Sequence, residues 1–217
     1  MIDALVERIR ALVPFTAVNT IRGYLSEPGL GSGTVLEAGC GRGDTVRALK
    51  PHLATKVVAV DIFEPYLRLC QKDGVYTNYV QADVRYLPFK DKSFDTVLSV
   101  EVLEHLEKPD ADGFIRELER IARKQVVITT PNGNFHLDAF DENPHQEHRS
   151  QWNPADLRRR GYSVTGHGLL GMGEVISVAP RIARYPLYLA WVIVGPIAKL
   201  LPGVSGDLVA DGDCAGR

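Results

Sequence analysis

The spacing of apolar positions changes repeatedly along this chain. Short β-branched runs at Thr34–Ala38, Lys56–Val60, Tyr76–Gln81, Phe94–Val100 and Gln125–Thr130 predict strands. Between them, Asp44–His52, Glu64–Lys72 and Asp110–Arg123 carry apolar residues at helical spacing. Strand–helix–strand alternation calls for parallel strands joined by crossover helices, hence a layered α/β fold. Val57–Val60 and Thr96–Val100 are nearly continuous apolar runs, the pattern of strands covered on both faces.

The ends of the chain have a different texture. Ile2, Leu5, Val6, Ile9, Leu12 and Val13 alternate with charged residues, predicting an amphipathic helix rather than a secretory leader. Asn132–Trp152 is polar and reads as a long loop, a kind of segment that is usually functional. Asn153 caps a predicted helix to Arg160, with Pro154 at its first position. Tyr162–Gly166 reads as a strand, and 206–211 as a short last strand. Residues 185–198 are uncharged. They fall short of the roughly 20 residues needed to cross a bilayer. A buried or covering helix is the preferred reading there, ahead of a membrane-surface anchor. The expected organisation is one domain over 1–217: a helical cap at 1–25, a core at 34–167, a variable apolar segment at 168–205 and the last strand.

Composition narrows the function classes. With 217 residues, 45% apolar and 24% charged, the chain can bury one sizeable core. A net charge of −2 gives no strong nucleic-acid signal. Cys40, Cys70 and Cys214 are odd in number and widely spaced, which disfavours a disulfide framework or a zinc ribbon and points to a reducing, cytoplasmic setting.

The most informative stretch is Val35–Gly43, VLEAGCGRG, where the first strand meets the first helix. Glycines there permit a tight turn and close backbone approach to a ligand. The dinucleotide fingerprint needs glycine at position 44, which is Asp44, so a nicotinamide-dependent oxidoreductase is disfavoured. Glu37 and Asp44 suit a cationic ligand better than a pyrophosphate. Asp61, ending the second strand, is placed to accept from ribose hydroxyls, and Asp83, ending the third, from an amino group of a base.

These pieces together resemble the class I S-adenosylmethionine-dependent methyltransferases. VLEAGCGRG, VVAVDI, ADVRYLPF, SFDTVLSVEVLEHL and VVITTPN follow one another in that family's order over about 34–133. The resemblance implies a Rossmann-like, doubly wound, seven-stranded and mostly parallel sheet, its last strand antiparallel, with helices on both faces. It implies S-adenosylmethionine as cofactor. Gly39, Gly41 and Gly43 would face its amino-acid part and ribose, and Glu37 its amino group. Asp61 would bind the ribose hydroxyls, Ile62 would pack on adenine, Asp83 and Val84 would sit at its polar edge, and Val100 and Glu101 would border the sulfonium. The implied partner is a small-molecule methyl acceptor, with oxygen slightly preferred. A cofactor-binding module without catalysis, docking a partner or membrane through 185–198, is the alternative.

Glu101, Glu104 and His105 form an E-x-x-E-H pattern after the fourth strand. On a helix the three would share a face. With His148 they resemble the set in metal-assisted O-methyltransferases. The preferred reading assigns no metal: Glu101 lines the cofactor pocket, and Glu104 and His105 cap or pair locally. His136, His145 and His148 are either solvated or include a general base. Trp152 either stacks on an aromatic acceptor or packs the loop onto the core. Arg158–Arg160 reads as a solvated helix end stopped by Gly161.

Overall fold

The computed structural model of the chain describes residues 17–26, 33–50, 53, 56–133, 142–167 and 199–215. The ordered elements are α1 (Ala17–Leu25), β1 (Val35–Ala38), α2 (Asp44–Leu49), β2 (Val57–Asp61), α3 (Glu64–Asp73), β3 (Asn78–Gln81), β4 (Phe94–Val100), α4 (Lys108–Ile121), β5 (Ala122–Pro131), α5 (Pro154–Arg158), β6 (Ser163–His167) and β7 (Asp207–Asp213). The strands form a seven-stranded sheet of order β3-β2-β1-β4-β5-β7-β6. Pairing is parallel from β3 through β5, and β7 runs antiparallel to both β5 and β6.

The two-residue period of the strands divides the core into two layers. Leu36, Ala38, Val97, Val126, Ile128, Leu208 and Ala210 pack with Phe114, Ile115, Leu118 and Ile121 of α4 and Leu157 of α5. Their neighbours Val35, Leu98, Val127 and Val209 pack on the other face, against Ile21 and Leu25 of α1, Val46 and Leu49 of α2, and Leu67 and Cys70 of α3. Helices therefore cover both faces, as the continuous apolar strands require.

Several boundaries differ from the sequence expectation for identifiable reasons. Helix α2 ends at Leu49 rather than His52: its C-cap residue Lys50 is followed by Pro51, which has no N–H to extend the helical hydrogen bonding. Helix α4 ends at Ile121 rather than Arg123. Ala122 already pairs with Phe94, and the Lys92 N–H takes the Arg120 carbonyl, so sheet hydrogen bonding captures these residues. Strand β3 begins at Asn78 rather than Tyr76, since the Tyr76 N–H is taken by the Tyr79 hydroxyl. The last strand runs two residues further than expected, to Asp213, along Gln125 of β5.

The long loop after β5 is pinned at its ends: Gly133 N–H donates to the Trp152 carbonyl at 2.7 Å. Trp152 is 1% exposed, so it serves packing rather than acceptor stacking. Lys108 and Arg160 both lie over its ring. Arg159 and Arg160 pair with Asp156 and Asp112, so this basic run is tied into the fold. The helix expected over 2–13, His136, and the apolar run 185–198 lie outside the described residues. Among the described residues, no helix is long and apolar enough to cross a membrane.

Candidate functional site

The carboxyl ends of β1, β2 and β4 and the turn after β3 open into a cavity of about 480 Å³. That lies within the roughly 300–1,000 Å³ range of small-molecule sites, at the position expected in an open α/β sheet. Of the ten residues singled out from sequence, Glu37, Gly39, Gly41, Asp61, Ile62, Asp83, Val84, Val100 and Glu101 line it. Gly43 does not. It starts α2 with φ +80°, and a Cβ there would meet Cys70 Sγ at 2.9 Å, so this glycine serves the turn and its packing. At Gly41 a Cβ would meet nothing within 4 Å among the described residues, which leaves the backbone open to a ligand on that side.

Asp61 organises the glycine turn. Its Oδ2 accepts from the Gly41 N–H at 2.8 Å and its Oδ1 from the Phe63 N–H at 2.9 Å. Burial nonetheless raises its pKa above the ordinary aspartate value, despite these donors. Glu37 is 1% exposed and accepts a hydrogen bond from the Tyr76 hydroxyl. Burial pushes its pKa up to about 8, with the Tyr76 donor opposing and Asp61 and Asp44 adding to the rise. A cation near Glu37 would relieve that penalty, and this is the fit expected of a ligand carrying positive charge.

Asp83 has a partner that sequence reasoning missed. The Arg85 guanidinium holds its carboxylate at 2.6–3.0 Å and reaches Asp110 at 2.8 Å. These bonds from Arg85 lower the Asp83 pKa. One side of the carboxylate is thus committed to Arg85 while the residue still lines the cavity.

The second group of acids sits where β4 ends. Glu101 adopts φ +54°, a strained conformation for a residue with a side chain. Thr129 of β5 holds it there. The Thr129 hydroxyl accepts from the Glu101 N–H at 3.1 Å and donates to Glu101 Oε1 at 2.7 Å. The next residue, Thr130, donates to Glu104 Oε2 at 3.0 Å. The chain after Glu101 forms a 3-10 turn, Leu103–His105, rather than a helix beginning at Glu101. The single helical face expected for residues 101, 104 and 105 is therefore absent, because a left-handed residue separates the strand from the turn.

Glu104, His105 and His148 do converge, with one potential ligand atom from each lying within 4.8 Å of the others. Glu104 is 2% exposed, and among the described residues its Oε1 has no hydrogen-bond partner. His105 Nδ1 lies 3.1 Å from the Glu147 carbonyl. A proton on Nδ1 would be held by that carbonyl and would leave Nε2 free to bind a ligand, the usual second-sphere support of a metal-binding histidine. Burial lowers the His105 pKa, which favours the neutral ring a metal needs. Burial also raises Glu104 to about 8 and Asp207, at the start of β7, to about 6. Glu101 is raised well above its ordinary value by burial and by the charges of Glu104 and Asp207. One carboxylate and two imidazoles, with an unsatisfied oxygen among them, suit a divalent cation of the first transition row better than magnesium. Thr129, Thr130 and Asp207 were not singled out from sequence. The only sequence signal was the paired threonines of VVITTPN.

Comparison with known proteins bears on the same region. Residues 36–129 match the model of a methyltransferase domain family. A protein named probable S-adenosylmethionine-dependent methyltransferase from Mycobacterium tuberculosis is 35% identical over 100 residues, covering 45% of this chain and 35% of its own length. This chain thus spans about a third of that relative. Ajmaline N-methyltransferase from Rauvolfia serpentina is 25% identical over 194 residues, covering 79% of this chain and 65% of its own. In fold, the chain is similar to magnesium protoporphyrin IX methyltransferase from Synechocystis with bound S-adenosylhomocysteine. There the TM-score is 0.57 at 17% identity, covering 93% of this chain and 84% of that one.

Proposed function

We propose that the chain is a class I S-adenosylmethionine-dependent methyltransferase, as its match to a methyltransferase domain over residues 36–129 supports, and that it transfers the methyl group of S-adenosylmethionine to a small-molecule acceptor, with oxygen preferred. The observation that carries this reading is the cavity at the strand ends, lined by Glu37, Gly41, Asp61 and Asp83 together. The cofactor supplies an activated sulfonium methyl, which leaves the protein the tasks of alignment and water exclusion. Asp61 accepts from the ribose hydroxyls while its Gly41 bond keeps the turn in shape. Glu37 meets the ammonium group, Ile62 packs on the adenine, and Asp83, fixed by Arg85, marks the adenine edge. Val100 and Glu101 border the transferred methyl. The similarity to a methyltransferase named for ajmaline supports a small-molecule acceptor, although that relative is named for nitrogen. The preference for oxygen rests on the buried acids and histidines, which suit removal of a hydroxyl proton.

Calorimetry with S-adenosylhomocysteine and NAD tests the cofactor. Binding of the first and not the second is expected, and no binding of S-adenosylhomocysteine overturns the reading. An acceptor screen reading S-adenosylhomocysteine release then identifies the substrate class.

The orphaned Glu104 oxygen favours a second reading, in which Glu104, His105 and His148 hold a divalent cation. Such a cation would lower the pKa of an acceptor hydroxyl. Elemental analysis of the purified protein and Mn²⁺ or Zn²⁺ titration check this. Neither binding nor activation by those ions removes it.

A further inference from the structure

The cavity has a wall that the strand ends do not supply. Asn143, Pro144, His145, Gln146 and Arg149 line it from the segment that follows β5. This strap is fastened to the turn after β4. The Arg149 and Ser150 N–H groups donate to the Glu104 carbonyl at 2.7 and 3.0 Å. Ser150 Oγ donates to the Leu103 carbonyl at 3.2 Å and accepts from Trp152 Nε1 at 2.9 Å. At the other end Asn143, 2% exposed, caps a short turn by accepting from the His145 N–H at 3.0 Å. The backbone carrying His145 is therefore shaped by a local turn on one side and fastened to the turn after β4 on the other.

The position of that imidazole is informative. It lines the same cavity as Asp61 and Asp83, the carboxylates at the ends of two adjacent strands, and a positive charge there would lower the pKa of both. Those are the two acids that the cofactor reading gives to the ribose and the base. Val100 and Glu101, which border the reacting centre, lie at the end of a different strand, β4.

We propose that His145, presented by the strap Asn143–Ser150, contacts the cofactor and closes the nucleoside half of the cavity opposite Asp61 and Asp83. This rests on the cofactor reading above. A nucleoside held by Asp61 through its ribose fills the space between the two acids and the imidazole. The ring then shields those hydrogen bonds from water and offers a planar face or a nitrogen to the base. The same strap carries His148 beside Glu104 and His105, with the His105 and His148 rings 5.0 Å apart. Seating the nucleoside therefore also steadies the acid–histidine cluster where the acceptor approaches.

The test uses the full chain with S-adenosylhomocysteine and with adenosine alone. His145→Ala should weaken both by a similar factor of about ten, or ~1.4 kcal/mol, because the contact is to the nucleoside they share. His145→Gln should recover part of the loss. In the native protein, S-adenosylhomocysteine should slow amide exchange across 143–150. Affinities of His145→Ala and His145→Gln for both ligands within twofold of native overturn the proposal. So does exchange across 143–150 that the ligand leaves unchanged, or a variant that alters only the acceptor KM. A native protein that binds neither nucleoside overturns the cofactor reading itself, and this inference with it.

Discussion

An acid stands at each end of strand β4, Asp95 at its start and Glu101 just past its last residue, and the two are treated in opposite ways. At its start, Asp95 accepts from the Thr34 N–H at 2.9 Å and from Arg123 at 2.8 Å, with Lys124 at 3.2 Å. Burial alone would raise its pKa, but these donors outweigh it and hold the carboxylate well below the ordinary range. Just past the other end, Glu101 is raised well above its ordinary value, with Glu104 and Asp207 beside it as further negative charges. Glu37, at the same end of the neighbouring strand, is raised to about 8. Charge at the amino end of β4 is neutralised within the fold. At the carboxyl ends Asp83 is held by Arg85, but Glu37 and Glu101 are left for something else to neutralise. The first arrangement stabilises the chain, and the second keeps an uncompensated site ready for a cation, a proton or a cationic ligand.

The largest test of this contrast is a pH titration of stability. Glu37 has an ordinary value of 4.5 and a folded value of about 8, so the folded state binds the extra proton between them. Its contribution is fully present below pH ~4.5 and is lost as pH rises through about 8. Glu37→Gln keeps an acceptor for Tyr76 and removes the titration. Denaturant melts across that window should show the native protein losing about 3–5 kcal/mol relative to the variant. Parallel pH profiles would show that Glu37 is already compensated, and the contrast between the two ends would collapse.

The opposite end should respond in the opposite direction. Asp95→Ala leaves the Thr34 N–H and two basic side chains without their acceptor. The basic groups are partly exposed and find water, so the expected loss is about 2–3 kcal/mol rather than that of a deeply buried ion pair. Thermal melts should register a fall of roughly 5–10 °C. Affinity for S-adenosylhomocysteine, measured well below the melting temperature, should be unchanged. A loss of affinity without a loss of stability would mean that the amino end is part of the site.

The two ends also differ in how well the sequence reveals them. The sheet itself was legible, since alternating residues such as Val126 and Val127 face opposite helical layers. The glycine turn was legible too, because a turn that brings backbone to a ligand demands residues that few other settings need. What escaped was set by long-range contact. Thr129 and Thr130 reach Glu101 and Glu104 from another strand, and Asp207 joins them from the far end of the chain. The E-x-x-E-H spacing suggested a helix, but the left-handed Glu101 depends on a hydrogen bond from that other strand. Arg85 was hidden for another reason. A surface arginine two residues from an aspartate is common, and only the folded turn brings Asp110 to its second side.

Asp61 gives the smallest effect and the sharpest discrimination, because it belongs to the carboxyl end yet has two backbone donors. If those ends are built for ligand rather than for stability, removing this carboxylate should cost binding more than folding. Asp61→Ala removes a charged acceptor for the ribose hydroxyls and frees the Gly41 N–H. Affinity for S-adenosylhomocysteine should fall about 10–30-fold, or ~1.4–2 kcal/mol. Folding stability should change by less than about 1 kcal/mol, since relief of the burial penalty offsets the two lost hydrogen bonds. Affinity within threefold of native would remove the ribose assignment. A stability loss as large as that of Asp95→Ala would place Asp61 with the structural carboxylates, and only Glu37 and the acids after β4 would remain as groups the fold leaves uncompensated.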